Sequence, residues 1–191
     1  MHKFLNEQII LYRIRKGDTE SFGHIFDFYH EKIYRFVYLK VATGEDAEDI
    51  VAETFLKVWQ YIKEGKKIKT LQAFLYQIAR NLVVDFYRRK GAPTESLEDA
   101  EITIADRSDL SLEEKMTLKS DMAKVEGALR LLKDAYREVI VLHFLNELSL
   151  SETAKIIEKS PGATRVLLHR GMKTLKNMLN EDGGSRNEGR V

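Results

Sequence analysis

The chain has 191 residues, a formal net charge of +1 and 43% hydrophobic residues, which suffices to bury the core of one domain or of two small ones. It contains no cysteine, which excludes disulfides and zinc sites with thiolate ligands. It lacks a run of about 18 apolar residues, so no membrane insertion is predicted. The first residues lack the long apolar region of a signal peptide, so a cytoplasmic location is expected.

Charge is distributed unevenly along the chain. Residues 1–90 carry 16 Lys/Arg and 12 Asp/Glu, residues 91–121 carry 3 and 9, and residues 122–191 carry 12 and 9.

Nearly every long segment has the apolar spacing of a helix, and none has the clear alternation of a strand. The predicted fold class is therefore all-α, with two small helical domains at 1–90 and 112–180. An acidic flexible linker is predicted at 91–111 and a disordered tail at 181–191.

The first two helices are predicted from apolar spacing and from the residues between them. The first covers residues 4–16, and its predicted apolar side comprises Phe4, Leu5, Ile9, Tyr12 and Ile14. Gly17 ends this helix. Asp18 is then predicted to cap a long second helix, from about Thr19 to Val41, by accepting hydrogen bonds from free N–H groups.

The third predicted helix, residues 45–62, carries acids on one side. Thr43 and Asp46 are predicted to cap its start as a capping box. At about 100° per residue, one side is apolar and the other carries Asp46, Asp49, Glu53, Leu56 and Gln60. Carboxylates repel phosphate, so this face is not expected to bind DNA. It suits docking on a basic protein surface, with Leu56 as an apolar contact, or it is simply solvated.

The fourth predicted helix, Leu71 to Lys90, combines an apolar stripe with a polar face. That face is predicted to carry Gln77, Arg80, Asn81, Asp85 and Arg88, with Tyr76 and Tyr87 on its flanks. The preceding loop carries Lys66, Lys67 and Lys69. Cations bind phosphates, aromatic rings stack on unpaired bases and amides read base edges. Nucleic-acid binding is therefore predicted, with a solvated amphipathic helix as the alternative.

The C-terminal half predicts a helix-turn-helix. A helix is predicted from about Asp134 to Asn146, and Ser149 with Glu152 forms a capping box for a short helix after it. Ser160 then caps a longer basic helix with Pro161 at its first position. In a helix-turn-helix, this last helix lies in the major groove. Its candidate DNA-contacting residues are Thr164, Arg165, His169, Arg170 and Lys173. An ordinary helical hairpin is the alternative.

The order and character of these blocks resemble the extracytoplasmic-function (ECF, group 4) sigma factors of bacterial RNA polymerase. GDTESFGHIFDFYHEKIYRFVY, EDAEDIVAETFLKVW and FLYQIARNLVVDFYRRK resemble sigma domain 2. The stretch from LKDAYREVIVLHF to HRGMKTL resembles domain 4. The resemblance covers about residues 5–180.

The resemblance implies a role for each block. The acidic helix would bind the clamp coiled coil of the largest polymerase subunit, and domain 4 would bind the −35 element and the flap. The loop that carries Lys66, Lys67 and Lys69 would hold a flipped base, since a base can be read on its Watson–Crick edge only after it leaves the duplex. The fourth helix would read the non-template strand of the −10 element, with Asn81 as the base reader and with Arg80, Asp85 and Arg88 close to the strand. An anti-sigma factor is a further implied partner.

The sequence also departs from the family at several positions. Ala52 stands where Gln is usual, and Phe74 stands where Trp is usual. In the helix-turn-helix, Glu158 replaces the usual turn glycine, and Val166 and Leu167 replace Ser and Arg. The change at Ala52 concerns one polar contact with the polymerase. The changes at Glu158, Val166 and Leu167 concern the strength of the −35 contacts.

Other functions fit the sequence less well. A helix-turn-helix regulator that acts without polymerase would need neither the acidic third helix nor the Asn-bearing fourth helix. A helical adaptor would account for the acidic face but not for the basic one. An enzyme is not predicted, because no HExxH motif, phosphate-binding loop or nucleophile–base pair is present. Accordingly, no catalytic residue, cofactor or metal ligand is expected.

Overall fold

A computed structural model of the protein describes residues 7–90 and 123–184, with side chains through residue 180. Its contacts divide the chain into two units, Met1–Thr94 and Glu95–Val191. The described residues form helices and turns without a strand, which confirms the predicted all-α fold class. The linker predicted at 91–111 lies outside the described residues.

Four helices form the described part of the first unit. They are α1 (Glu7–Arg15), α2 (Thr19–Tyr38), α3 (Gly44–Lys63) and α4 (Leu71–Arg89). The predicted cap of α2 is present, since the backbone N–H of Ser21 donates to Asp18 Oδ1 at 3.1 Å. At α3, the backbone N–H of Asp46 donates to Thr43 Oγ1 at 3.1 Å. These local hydrogen bonds explain why the predicted starts of both helices are correct.

The buried side of α1 differs from the prediction. Leu11 and Ile14 are fully buried, whereas Ile9 is 54% exposed and Tyr12 is 57% exposed. The predicted burial of Ile9 and Tyr12 is therefore wrong. The helix is short and contacts α2 and α3, so only the narrow side shared by Leu11 and Ile14, three residues apart, reaches the core.

The core of the first unit lies between α2, α3 and α4, and it contains one residue that was predicted to be at the surface. Tyr76 is fully buried, and its ring packs edge-on against Phe36 with centroids 5.4 Å apart. The prediction that Tyr76 flanks the polar face of α4 is wrong. Tyr87 donates its hydroxyl to the backbone oxygen of Lys40 at 2.8 Å, which ties α4 to the end of α2.

The second unit contains five described helical segments. Residues 123–131 are helical (α5), followed by α6 (Asp134–Ile140), a π-helical turn (Val141–Leu145), α7 (Leu150–Ile156) and α8 (Pro161–Gly184). The predicted helix from Asp134 to Asn146 therefore changes pitch at Val141. The Val141 oxygen, at the start of this wider turn, accepts from both the backbone N–H and the side-chain amide of Asn146, each at 3.0 Å.

The predicted caps of α7 and α8 are confirmed. Ser149 and Glu152 form a full capping box, and the backbone N–H of Ala163 donates to Ser160 Oγ at 3.2 Å. Helix α8 continues through Gly184, into the segment predicted as a tail, and residues 185–191 lie outside the described residues. A Cβ on Gly171 would lie 3.1 Å from the Tyr136 Cβ, so α6 and α8 approach each other closely.

Candidate functional site

The acidic face of α3, defined as Asp46, Asp49, Glu53, Leu56 and Gln60, points away from the core. The opposite side of the helix is buried and includes Ala47, Val51, Phe55, Val58 and Ile62. Asp49 and Gln60 are exposed, and Leu56 is 55% exposed. The structure therefore brings the five predicted residues together on one outward surface, where a large apolar side chain is surrounded by acids and an amide.

The carboxylates of this face differ in their existing partners. Asp46 Oδ2 accepts a hydrogen bond from Thr43 Oγ1 at 2.8 Å, and Glu53 pairs with Lys57 at 3.3 Å. Asp46 is also only 22% exposed at its side chain. Asp49 lies between them along the face and is exposed. Asp49 is therefore the carboxylate most accessible to an incoming basic partner.

The polar face of α4, defined as Gln77, Arg80, Asn81, Asp85 and Arg88, is held outward by burial of the other side. Leu75, Ala79, Leu82 and Val83 are buried, whereas Gln77 and Asn81 are exposed. Arg80 and Asp85 are half-buried, and Asp85 pairs with Arg88 at 2.8 Å. The Asn81 amide thus lies on an accessible surface, one helical turn from Gln77 and from Asp85.

The lysine loop, defined as residues 64–70, connects α3 to α4. Lys66, Lys67 and Lys69 are exposed, whereas Ile68 is 5% exposed and anchors the loop in the core. Gly65 has a φ of +74°, a conformation that glycine adopts without strain. Glu64 binds Lys66, and this hydrogen bond raises the pKa of the Lys66 ammonium group. The loop therefore presents cations on both sides of a buried residue.

Three residues that the sequence did not single out contact this loop or the first residue of α4. Arg15 donates to the backbone oxygen of Lys66, Gln8 donates to that of Ile68, and Glu7 accepts from the backbone N–H of Leu71. All three come from α1, more than 50 residues earlier in the chain. Periodicity within α1 gives no signal for such contacts.

The predicted DNA-contacting side of α8 is largely exposed. Arg165, His169, Arg170 and Lys173 are all exposed. Thr164 is different, because it is fully buried and its hydroxyl donates to the backbone oxygen of Ser160 at 2.9 Å. The prediction that the Thr164 side chain reaches DNA is therefore corrected. We define the cationic face of α8 as Arg165, His169, Arg170 and Lys173.

The turn between α7 and α8 forms although its usual glycine is absent. Glu158 has a φ of +57°, the left-handed conformation that ends many helices. The backbone N–H of Lys159 then donates to the oxygen of Ala154 at 3.0 Å. Ile156 and Ile157 are buried on the inner side of this turn. The substitution at Glu158 thus leaves the predicted short helix, turn and longer helix in place.

The apolar substitutions in α8 lie near its exposed start. Val166 is 49% exposed, and Leu167 is half-buried. Both line an open groove together with Lys133, Tyr136, Lys159 and Ala163. The beginning of α8 therefore presents small and apolar side chains between its cations, as the sequence departures predict.

Within residues 7–90 and 123–184, no group of three or more His, Cys, Asp or Glu side chains could hold a metal ion. None of the helices described here is both long and apolar enough to cross a membrane.

Two family models match the chain. One, described as Sigma-70 region 2, matches residues 25–92. The other, described as Sigma-70, region 4, matches residues 122–175. The first match includes α3, the lysine loop and α4, and the second includes the helix-turn-helix. Helix α1 precedes both matches.

Individual proteins give the same result. The chain is 32% identical over 183 residues to the ECF RNA polymerase sigma factor SigW of Bacillus subtilis (strain 168), with 88% of this chain and 94% of SigW covered. It is 31% identical over 174 residues to the ECF RNA polymerase sigma factor BldN of Streptomyces coelicolor. That alignment covers 89% of this chain and spans 64% of the length of BldN.

Solved structures share the fold. CnrH, in complex with the cytosolic domain of CnrY, is similar with a TM-score of 0.67 and 21% identity, covering 91% of this chain and 97% of CnrH. The sigma factor RpoE, in complex with the anti-sigma factor NepR from Bartonella quintana, gives a TM-score of 0.66 and 21% identity. That likeness covers 84% of this chain and 98% of RpoE. At this level of identity the similarity concerns the fold alone.

Proposed function

This chain belongs to the ECF RNA polymerase sigma factors, and we propose that three of its surfaces divide the work of promoter-specific initiation. The observation that carries the proposal is that α3 and α4 pack together while exposing an acidic face and an Asn-bearing face next to a lysine-rich loop. A protein that binds only a basic partner, or only DNA, needs one of these surfaces and not the other.

The acidic face of α3 is the proposed contact with core RNA polymerase. Complementary charge guides association and excludes wrong partners, so the exposed Asp49 suits a basic surface such as the clamp coiled coil of the largest subunit. Leu56, which is 55% exposed, would become buried in the contact and add an apolar anchor. Ala52 is exposed beside this face and lacks the amide that is usual there.

The polar face of α4 and the lysine loop are proposed to open and read the −10 element. A base exposes its Watson–Crick edge only after it leaves the stack, and the exposed Asn81 amide can both donate to and accept from that edge. Lys66, Lys67 and Lys69 would bind the adjacent phosphates. Arg80, Asp85 and Arg88 lie on the same face and are assigned to the same strand.

The cationic face of α8 is proposed to bind the −35 element as duplex DNA. Arg165 and Arg170 are the candidates for bidentate contacts with guanine in the major groove. His169 and Lys173 are assigned to the same DNA interface. Val166 and Leu167 reduce the number of polar groups near the helix start, so a particular −35 sequence is not assigned.

The remaining parts of the chain fit the same scheme. Residues 1–90 are proposed as sigma domain 2, residues 91–111 as an acidic linker that threads through the polymerase, and residues 112–180 as sigma domain 4. Helix α8 continues from this domain to Gly184, and the residues after it are proposed as a tail. Domain 4 is also assigned a contact with the polymerase flap. Catalysis and any metal chemistry then belong to the polymerase, and the chain acts in the cytoplasm, where core polymerase and promoter DNA are found.

An anti-sigma factor is the proposed regulatory partner. The solved structure of RpoE contains an anti-sigma factor, NepR, and a partner that covers the polymerase-binding surface of this chain would hold it inactive. The acidic face with Leu56 at its centre is a surface that such a partner would cover.

Reconstitution with bacterial core polymerase tests the proposal. The purified chain should bind core and direct transcripts from a defined start on a promoter that core alone does not use. If the chain instead binds duplex promoter DNA without core and gives no transcript, it acts as a helix-turn-helix regulator and the proposal fails.

A further inference from the structure

The backbone of the lysine loop is held by side chains of α1. Arg15 Nη2 donates to the backbone oxygen of Lys66 at 2.9 Å, and Gln8 Nε2 donates to that of Ile68 at 3.3 Å. The backbone N–H of Leu71 donates to Glu7 Oε2 at 3.3 Å. Three polar side chains of one short helix thus contact the loop near its start, at its centre and where α4 begins.

Glu7 supplies a cap that the local sequence of α4 does not. Thr70 occupies the N-cap position of α4 but makes no side-chain cap hydrogen bond. The Glu7 carboxylate accepts one of the N–H groups that have no partner within the helix. Its negative charge also lies at the positive end of the helix dipole. The start of α4, and with it the direction in which the helix leaves the loop, therefore depends on α1.

Helix α1 is itself fixed in the core. Its Leu11 and Ile14 side chains are fully buried, and Ile68 of the loop is 5% exposed. The loop is therefore anchored by its buried isoleucine and by hydrogen bonds to a fixed helix. Its lysine side chains remain exposed, so the anchoring fixes where these cations are presented and leaves them accessible.

We propose that Glu7, Gln8 and Arg15 are positioning residues for promoter reading: they hold the lysine loop and the start of α4 in the arrangement that receives the opened −10 strand. This inference rests on the proposed function of the loop and of α4. Helix α1 precedes the matched residues 25–92, so that match gives these three residues no role. They act through the loop backbone and do not touch DNA.

The test uses holoenzyme assembled from bacterial core polymerase and the full-length chain. A fluorescent single strand carrying the −10 sequence is titrated against wild type, Arg15→Ala, Glu7→Ala and Glu7→Gln. Arg13→Ala is the matched control, because Arg13 is an arginine of the same helix that pairs with Asp18 at 2.7 Å and is not bonded to the loop. Core affinity and melting temperature are measured for each variant.

We expect Arg15→Ala and Glu7→Ala each to weaken −10 binding on the order of tenfold. This factor corresponds to the loss of one hydrogen bond to a charged group. Glu7→Gln keeps an acceptor oxygen and should recover part of the affinity. Arg13→Ala should bind as wild type does. Core affinity should not change, and the salt slope of −10 binding should stay the same in Arg15→Ala, since Arg15 neutralises no phosphate.

Three results would overturn the inference. Unchanged −10 affinity in Arg15→Ala and Glu7→Ala would show that the loop keeps its shape without α1. A salt slope lowered by about one in Arg15→Ala would make Arg15 a direct phosphate contact. A parallel loss of core affinity and melting temperature would make the three residues general stabilisers. Failure of the proposed function would appear separately, as wild-type affinity in a triple Lys66, Lys67 and Lys69→Ala variant.

Discussion

Asp46 Oδ1 lies 3.4 Å from Lys90 Nζ, so an ion pair joins the start of α3 to the residue that follows α4. Lys90 is 57% exposed at its side chain and Asp46 is 22% exposed, and a pair this accessible to solvent contributes little to stability. Its consequence is local: it occupies Asp46, which therefore presents less negative charge to a partner than Asp49 does. The carboxylates of the acidic face are not equivalent.

The first prediction follows from that difference. Charge reversal at Asp49 and Glu53, as Asp49→Lys with Glu53→Lys, should weaken binding to core polymerase strongly, because like charges would then meet across the interface. Asp46→Asn should have a smaller effect. Pull-down of core polymerase with the purified variants measures both.

A matched control exists on the same helix. Glu48 is exposed but lies about 100° around α3 from Asp49, off the acidic face. Glu48→Lys makes the same charge change as Asp49→Lys alone and should leave core binding near wild type. Equal losses for the single variants Glu48→Lys and Asp49→Lys would mean that only net charge matters, and this would refute a defined docking face.

The second prediction concerns the cationic face of α8. Arg165→Ala and Arg170→Ala should each cost about 1–3 kcal/mol of promoter binding if the residue contacts a base, with relaxed discrimination at one position of the −35 element. If the residue contacts phosphate instead, binding should weaken on every sequence and the salt slope should fall. Electrophoretic mobility shifts at several salt concentrations distinguish these results.

Thr164→Val provides the comparison for that experiment. The hydroxyl of Thr164 is bonded to the Ser160 backbone oxygen, so its removal should leave sequence discrimination unchanged. Loss of discrimination in Thr164→Val, with Arg165→Ala and Arg170→Ala both silent, would mean that α8 presents a different side to DNA from the one defined here.

The third prediction concerns a buried hydroxyl that destabilises the core of the first unit. The Tyr76 hydroxyl is buried and has no hydrogen-bond partner among the residues that the structure describes, and burial raises the pKa of this phenol, so it stays neutral. An unsatisfied buried hydroxyl costs about 1–3 kcal/mol. Tyr76→Phe keeps the ring against Phe36 and removes that cost, so the melting temperature should rise.

Tyr76→Leu serves as the contrast, because it removes the ring as well as the hydroxyl and should destabilise the protein through a cavity. Thermal unfolding of both variants by circular dichroism gives the comparison. A lower melting temperature for Tyr76→Phe would show that the hydroxyl has a partner in solution.

The parts of the fold that sequence predicted correctly depend on neighbours within one helical turn. Asp18 with Ser21, and Ser149 with Glu152, are three residues apart, and their hydrogen bonds are present at the predicted helix starts. Capping is a local interaction between a side chain and the next free N–H groups, so short-range sequence is sufficient to predict it. The same locality explains why α3 begins close to its predicted start. The bounds of α4 were predicted from its apolar spacing instead, since Thr70 makes no side-chain cap hydrogen bond.

The errors concern which side of a helix is buried. Tyr76 belongs to the core because Phe36 of α2 packs against it, and Tyr12 is exposed because α1 buries only a narrow side. Such outcomes depend on elements far apart in sequence, as do the contacts of Glu7, Gln8 and Arg15 with the loop. Periodicity predicts that a helix has two sides, but tertiary packing decides residues near the boundary between them.

Thr164 illustrates the same limit within the candidate site. Its position near the start of α8 predicts exposure in a recognition helix. The structure instead turns its hydroxyl back to Ser160 in the preceding turn, a bond that Ser and Thr commonly form within helices. The exposure of its charged neighbours Arg165 and Arg170 agrees with the prediction, because burial of an unpaired charge is costly.

The most direct test of promoter opening by this chain is permanganate reactivity of promoter thymines in holoenzyme made with wild type or Asn81→Ala, compared at equal occupancy of core. Asn81 is exposed on the polar face of α4, so its truncation should leave folding and core binding intact. With wild type, we expect reactive thymines confined to the −10 element. With Asn81→Ala, we expect roughly tenfold weaker opening, as for loss of one base contact. Equal reactivity in the two holoenzymes, with equal discrimination among −10 sequences, would contradict base reading by Asn81.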